Sequence, residues 1–382
     1  MADTSALTRG GTIRMAAAGL ALIAACYGLA RFAYGLFVPS FRAAFDLDAG
    51  TAGLIASGSY VAYCVGVTLA TAATPRLGSR FVAVSAGAAA TVGTAFVAMA
   101  PDAPLLAVGV LIAGSSTGIA SPPLAHAVAH RVAAPARDRV QSIVNAGTGL
   151  GVVVSGPVAL VVADQWRMAW LAFSAIAAAV TVWVAFVVPA ARRSSVPASP
   201  ARARFPPGAL LLGAAAALMG VGSAAVWTFG QDLVGAHTGR GVATVAWIVL
   251  GACGLLGAAA GDLVERLGMG AAWAALMVAM AASTAALAVA PGAAVVVLAA
   301  SGVFGAVYIA ATGVLLVWST QVFPESPARG VGLVFLLLAV GQAVAAPAWG
   351  ALADLAGLRM AFCAASILSA LAVLLRPRAC RP

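Results

Sequence analysis

The sequence predicts an all-α polytopic membrane protein of twelve transmembrane helices in two six-helix halves, and three observations carry that prediction. Only 8% of the 382 residues are charged and 63% are hydrophobic, whereas about a quarter of a soluble globular chain is charged. Apolar runs of roughly 20 residues recur along the whole length, each long enough to cross a ~30 Å hydrocarbon core as a helix. Short motifs of the first half return in the second at a near-constant distance. A spanning β-barrel would need short alternating segments. The runs here are continuous and rich in Ala, Leu and Val, and a helix satisfies their backbone within lipid.

The spans fall at 14–38, 49–72, 81–100, 105–130, 140–163 and 168–189, then 208–232, 242–262, 270–290, 293–320, 331–353 and 359–375. Arg9 and Arg14 precede the first run as they would in a signal peptide, but that run continues to about Val38. It is too long for a cleavable segment and reads as a retained span. Between the sixth and seventh spans lies PAARRSSVPASPARARFPP (189–207), whose Pro, Ser, Ala and Arg suit a cytoplasmic linker. It separates an amino-terminal bundle, 1–188, from a carboxyl-terminal bundle, 208–382.

All 21 basic residues are Arg, giving a formal charge of +10. They cluster in short connections between apolar runs, a pattern of membrane topology rather than of a nucleic-acid surface. Sixteen fall on the side of the termini; Arg42, Arg167, Arg240 and Arg359 fall on the other, and Arg31 lies within the first span. Both termini are therefore expected in the cytoplasm, with the chain in the inner membrane. Cys26, Cys64, Cys253 and Cys363 lie in apolar runs and Cys380 in the tail, so no disulfide framework is encoded.

Pro157 and Asp164 correspond to Pro347 and Asp354 at a shift of 190, and Arg76-Leu77-Gly78 to Arg266-Leu267-Gly268 at the same shift. Arg167-Met168-Ala169 corresponds to Arg359-Met360-Ala361 at 192. Parallel six-helix repeats mark one large transporter architecture, with its site near the bilayer midplane.

With these motifs in place, the chain resembles the major facilitator superfamily over nearly its full length. The resemblance implies that fold, each half being a 3+3 inverted repeat, and alternating access. The family's inner-loop motif, Gly-x-x-x-Asp-Arg-x-Gly-Arg-Arg, is matched in the second half by Gly261, Glu265, Arg266 and Gly268, with Glu in place of Asp. In the first half Arg76, Gly78 and Arg80 remain, while Pro75 replaces the acid and Thr71 the leading Gly. The resemblance makes these gating loops; a plain positive-inside loop is the alternative. Gly156-Pro157 in the fifth span resembles the family's antiporter motif without its closing glycines, and helix packing with a bend accounts for it equally well. The fourth-span Arg of many proton-linked drug exporters is absent. The first span is similar to that of poorly characterised bacterial members through Ala30-Arg31-Phe32.

Arg31 is the most informative single residue, since a charge in a membrane helix usually faces an interior cavity and a partner. It is expected to hold an anionic substrate group or an internal carboxylate, or else to snorkel to the interface. Tyr27 and Tyr34 flank it at helical spacing. No carboxylate sits in the middle of a span; Asp232, at the end of the seventh, is a proton-coupling candidate if buried and an inert helix-end acid if solvated. Asp164 and Asp354 read as caps or structural pairs. Ser116 in the fourth span, Asn145 in the fifth, Tyr308 and Thr312 in the tenth and Gln342 in the eleventh are substrate-contact candidates, with interhelical hydrogen bonds as the alternative. His126 and His130 have the spacing of a two-His metal site but no neighbouring acid, so no metal or cofactor is expected.

No P-loop and no catalytic constellation is present in the sequence. The function expected is secondary transport of a small organic solute, anionic or amphipathic, with protons as a candidate coupling ion. The expected partners are the lipid bilayer and that solute, with no nucleic acid, and the expected state is a monomer. A proton-linked drug or metabolite efflux antiporter is the alternative within the class. A non-transporting receptor or assembly factor on the same fold is the alternative outside it.

Overall fold

Continuous apolar runs in a medium without water leave the backbone only its own hydrogen bonds, and every predicted run is helical. The computed structural model describes residues 7–162, 165–189 and 206–377. Most of the predicted linker, and Asp164, lie outside the described residues. The helices are α1 (Arg9–Phe45), α2 (Ala49–Leu77), α3 (Ser79–Met99), α4 (Ala103–Arg131), α5 (Arg137–Val162) and α6 (Trp166–Val187). After the linker come α7 (Ala209–Thr238), α8 (Arg240–Gly254), α9 (Met269–Val289), α10 (Ala294–Val322), α11 (Pro327–Ala356) and α12 (Leu358–Leu371). A 3-10 turn, Leu255–Ala259, and a short helix, Ala260–Leu267, continue α8. Among the described residues eleven of these stretches are long and apolar enough to cross a membrane, and Leu358–Leu374 is a shorter apolar helix. Several helices outrun the predicted spans, so that Arg42, Arg76 and Arg131 occupy last turns rather than loops.

Contacts divide the chain into two compact units, Met1–Tyr34 with Gly58–Pro197 and Gly35–Ser57 with Ala198–Pro382. The end of α1 and the start of α2 thus group with the carboxyl-terminal helices. In the first unit α1 packs on α5, and α3 on α4 and α6; in the second α7 packs on α11, and α9 on α10 and α12. The sequence repeat is therefore also a repeat of neighbours.

Lipid tails are as apolar as leucine, so helices here associate through close packing and polar contacts rather than hydrophobic burial. Small residues make the approach possible. A Cβ on Gly28 of α1 would overlap the Gly151 backbone of α5, and one on Gly341 of α11 would overlap the Ala217 carbonyl of α7. Large apolar side chains such as Phe186, Leu210 and Val295 point outward, where lipid is their solvent.

Two repeated motifs have a plain structural use. Gly78 and Gly268 precede α3 and α9 with φ of 88° and 78°, a conformation that a side chain disfavours. Arg167 donates through Nη2 to the Ala100 carbonyl at 2.8 Å, and Arg359 to the carbonyls of Ala288 (2.8 Å) and Val289 (2.9 Å). Each arginine thereby supplies donors to the otherwise unpaired carbonyls at the end of α3 or α9.

The α1–α5 crossing yields a test. Gly28→Ala is expected to destabilise the folded protein by about 1–3 kcal/mol through overpacking. Gly241→Ala, where the space is open, is expected to stay within about 0.5 kcal/mol of the parent. Thermal unfolding of both variants in detergent checks the difference.

Candidate functional site

The site begins with an irregularity in α1. Residues Ala24–Phe32 form a π-helical stretch between two α-helical arms, a rare geometry that is enriched at functional positions. Its neighbours fit it closely: Gly28 abuts Gly151, the Thr117 hydroxyl of α4 donates to the Cys26 carbonyl at 3.0 Å, and the Cys26 thiol lies 3.9 Å from the Ala86 carbonyl. Tyr27 and Arg31 both lie on this stretch. Tyr27 Oη hydrogen-bonds Ser121 Oγ of α4 at 2.9 Å.

Arg31 is only 7% exposed. Its guanidinium carbon lies 4.6 Å from the Tyr63 ring centre, 4.8 Å from Tyr60 and 5.3 Å from Phe32. Aromatic faces carry partial negative charge and attract a cation, more strongly where water is scarce. The charge is therefore enclosed by rings rather than extended to the interface. A guanidinium covered on its faces can still engage a ligand along its N–H edges, and that fork matches a carboxylate or phosphate. Tyr34 is buried one turn further along α1.

A second, neutral cluster occupies the other unit. Gln342 is fully buried; its amide nitrogen lies 3.4 Å from Tyr308 Oη and 3.5 Å from Ser223 Oγ. Trp227 of α7 packs edge-on against Trp247, Phe304 and Tyr308, with ring centres 5.2–6.0 Å apart. Hydroxyl, amide and ring faces together can hydrogen-bond and stack on an uncharged group.

The remaining candidates are dispersed. Ser116 and Thr312 return their hydroxyls to carbonyls of their own helices, Ala113 and Tyr308. Asn145 is exposed and accepts from Gln141 at 3.0 Å. Asp232 forms an ion pair with Arg42. At the α2–α3 junction, Arg76 in the last turn of α2 is exposed, while Arg80 in the first turn of α3 donates through Nε to the Val188 carbonyl at 2.6 Å. Gly261, Glu265 and Arg266 lie on the short helix Ala260–Leu267, with Glu265 and Arg266 exposed. His126 hydrogen-bonds Ser79 at 3.0 Å and stacks on His130, and the described residues include no group of three or more metal-ligating side chains.

Tyr60 and Tyr63 around Arg31, Ser121 beside Tyr27, Ser223 beside Gln342 and Trp227 beside Tyr308 are site residues that the sequence did not single out. A signal existed for the first pair. The chain has five tyrosines, and Tyr27, Tyr34, Tyr60 and Tyr63 all fall in the first two spans.

The family described as "uncharacterised MFS-type transporter YbfB" matches residues 23–376. A search of curated protein sequences finds no match. Among solved structures, the chain is similar to a point mutant of the nucleoside transporter NupG, at 12% identity and a TM-score of 0.77 over 95% of this chain and 98% of that one. It is similar to a bacterial homologue of the human lysosomal transporter Spinster in an inward-facing, unoccupied conformation, at 15% identity and 0.76 over 97% of each. It is also similar to the xylose transporter XylE from E. coli in a partially occluded inward-open conformation, at 13% and 0.76 over 96% and 97%. At such identities the likeness shows the fold.

The hydroxyl that supports the π-helical stretch can be tested alone. Thr117→Val keeps the shape but removes the donor to Cys26, and is expected to cost about 1 kcal/mol or more. Ser115→Ala removes a hydroxyl bonded within its own helix to Ile112 and is expected to be near neutral. Unfolding midpoints of the two variants decide.

Proposed function

We propose that this chain, which belongs to the YbfB-type family of MFS transporters, carries a small organic anion across the membrane with Arg31 as its anchor. The observation that supports this reading is the guanidinium enclosed within α1 by Phe32, Tyr60 and Tyr63. Holding a full charge away from water is costly, and a charge needed for topology alone would sit at a helix end, as Arg42 does. Arg31 is also the one arginine that the sequence puts in the interior of a predicted span rather than at its end, which favours a solute with one anionic group. The Gln342–Tyr308–Ser223 cluster, being neutral, is suited to uncharged polar groups.

The family points to secondary transport. The chain's acids avoid the middle of every predicted span, and Asp232 is engaged by Arg42. That pairing favours a structural role for Asp232 over proton carriage. The arginine asymmetry supports cytoplasmic termini, which puts the turn between α1 and α2 on the outer face.

Binding is tested with monocarboxylates and their neutral amides, beginning with benzoate and benzamide and extending to aliphatic pairs. Thermal shift of the purified protein and uptake into proteoliposomes are the readouts. At least one carboxylate should bind where its amide does not. Arg31→Ala should abolish that binding, and Arg31→Lys should weaken it about tenfold, since the charge remains but the bidentate fork is lost. Unchanged affinity in a folded Arg31→Ala protein would remove Arg31 from the site. Separately, a fluorescent reporter at the carboxyl terminus should report the cytoplasm; an exterior signal there would reverse the topology.

A further inference from the structure

The chain has three histidines, and two of them, His126 and His130, share the last turns of α4. A spacing of four puts both on one face of the helix. Their rings lie 4.1 Å apart between centres and 25° from parallel. His130 is exposed and His126 half-buried. Spacing alone gave no reason to expect a resident metal, and no third ligand joins the pair among the described residues. What the structure adds is the engagement of the other nitrogen of each ring.

His130 Nδ1 lies 2.8 Å from the His126 carbonyl. A carbonyl only accepts, so Nδ1 carries the proton, and the lone pair of the neutral imidazole is then on Nε2. His126 Nδ1 lies 3.0 Å from Ser79 Oγ, at the start of α3. A hydroxyl can accept as well as donate. It therefore serves the His126 tautomer that also has its lone pair on Nε2, without displacement of a heavy atom. A metal-binding histidine characteristically donates its second ring N–H to a protein oxygen, which fixes tautomer and ring orientation. Both rings have such a partner.

Metal–nitrogen bonds of about 2.0–2.1 Å put two ligating atoms about 3 Å apart. Near-parallel rings at the observed separation reach that by tilting within the broad χ2 well of histidine. Neutral imidazole suits Zn²⁺, Ni²⁺ and Cu²⁺, whereas Mg²⁺ and Ca²⁺ require oxygen ligands. Arg131 follows His130 and Arg80 follows Ser79. These cations oppose an ion held by charge alone and leave the nitrogen-seeking metals favoured. Two protein ligands, with water in the remaining positions, hold an ion reversibly, unlike a closed site of four.

We propose that His126 and His130 form an exchangeable site for a divalent transition-metal ion of the Zn²⁺, Ni²⁺ and Cu²⁺ class, with Ser79 orienting His126. A bound ion clips together the last turns of α4 and, through Ser79, ties them to the start of α3. Those turns follow Pro122 and Pro123, which remove two backbone hydrogen bonds from the helix. The proposal does not depend on which solute Arg31 holds.

The test uses the full chain in detergent, purified without a histidine tag. Calorimetric titration with ZnCl₂ should give a stoichiometry of about one per chain, and MgCl₂ should give no binding. With Cu²⁺ as a paramagnetic probe, the resonance spectrum should show two equatorial imidazole nitrogens. His126→Gln or His130→Gln leaves a single ligand and should weaken Zn²⁺ binding about a hundredfold or more. Ser79→Ala should weaken it about tenfold, and His237→Ala, in the last turn of α7, should leave it unchanged. Hydrogen exchange in peptides covering 124–131 should slow with Zn²⁺ in the parent and not in His130→Gln. Equal Zn²⁺ affinity in the parent and the His126→Gln, His130→Gln double variant would overturn the site. So would a folded parent that binds no Zn²⁺, or loss of binding in His237→Ala. If the α4 variants fail to fold, the Cu²⁺ spectrum of His237→Ala decides: two nitrogens support the pair, and one or none refutes it.

Discussion

The constraint on which the structure rests is that backbone polar groups inside the hydrocarbon must be satisfied by the protein itself. Straight helices meet it at no cost to neighbours, and most of this chain takes that course. The departures each have a tending side chain. Thr117 donates to the Cys26 carbonyl within the π-helical stretch of α1, and Arg167 and Arg359 donate to the carbonyls that end α3 and α9. Asp354 accepts from the amides that begin α2. Since apolar burial does not drive helices together in lipid, such polar contacts and glycine-sized gaps carry both architecture and specificity.

The two repeats share what maintains the fold and differ in their buried polar groups. Gly78 and Gly268, Pro157 and Pro347, and Arg167 and Arg359 recur with the same helix neighbours in each unit. Against that common frame, Arg31 and its tyrosines belong to the first repeat alone, and the Trp227–Tyr308–Gln342 cluster to the second. Position 42 is Arg and its equivalent, 232, is Asp. A duplicated frame gives two similar helical units. Divergence at a few positions gives one a buried charge, the other a neutral polar cluster, and residues 35–57 an ion pair to α7.

The interaction between Arg31 and its rings also explains why an unusual helix is tolerated there. A π-helical turn is wider and less favourable than an α-turn. Here it occupies the segment that carries Tyr27 and Arg31 against α4 and α5, with Gly28 letting the backbone of α5 come close.

Composition and apolar run length alone determined that this chain is helical and crosses the membrane about twelve times, because a bilayer leaves a backbone few other choices, and the motifs that recur about 190 residues apart showed that its halves repeat. Arg31 was legible as exceptional for the same reason: a charge inside an apolar run stands out without any knowledge of the fold. The sequence could not show that Tyr60 and Tyr63 enclose it, since that pairing depends on how α1 and α2 are rotated, and Ala-rich helices carry too weak an amphipathic signal to fix rotation. Nor could it show the role of Asp232 or Asp354. An acid near a helix end reads alike as solvated, as a cap or as a proton carrier; only tertiary structure put Arg42 and the first amides of α2 beside them. The assignment of residues 35–57 to the second unit was likewise a tertiary decision, because contiguity along the chain says nothing about which backbone a glycine face will meet.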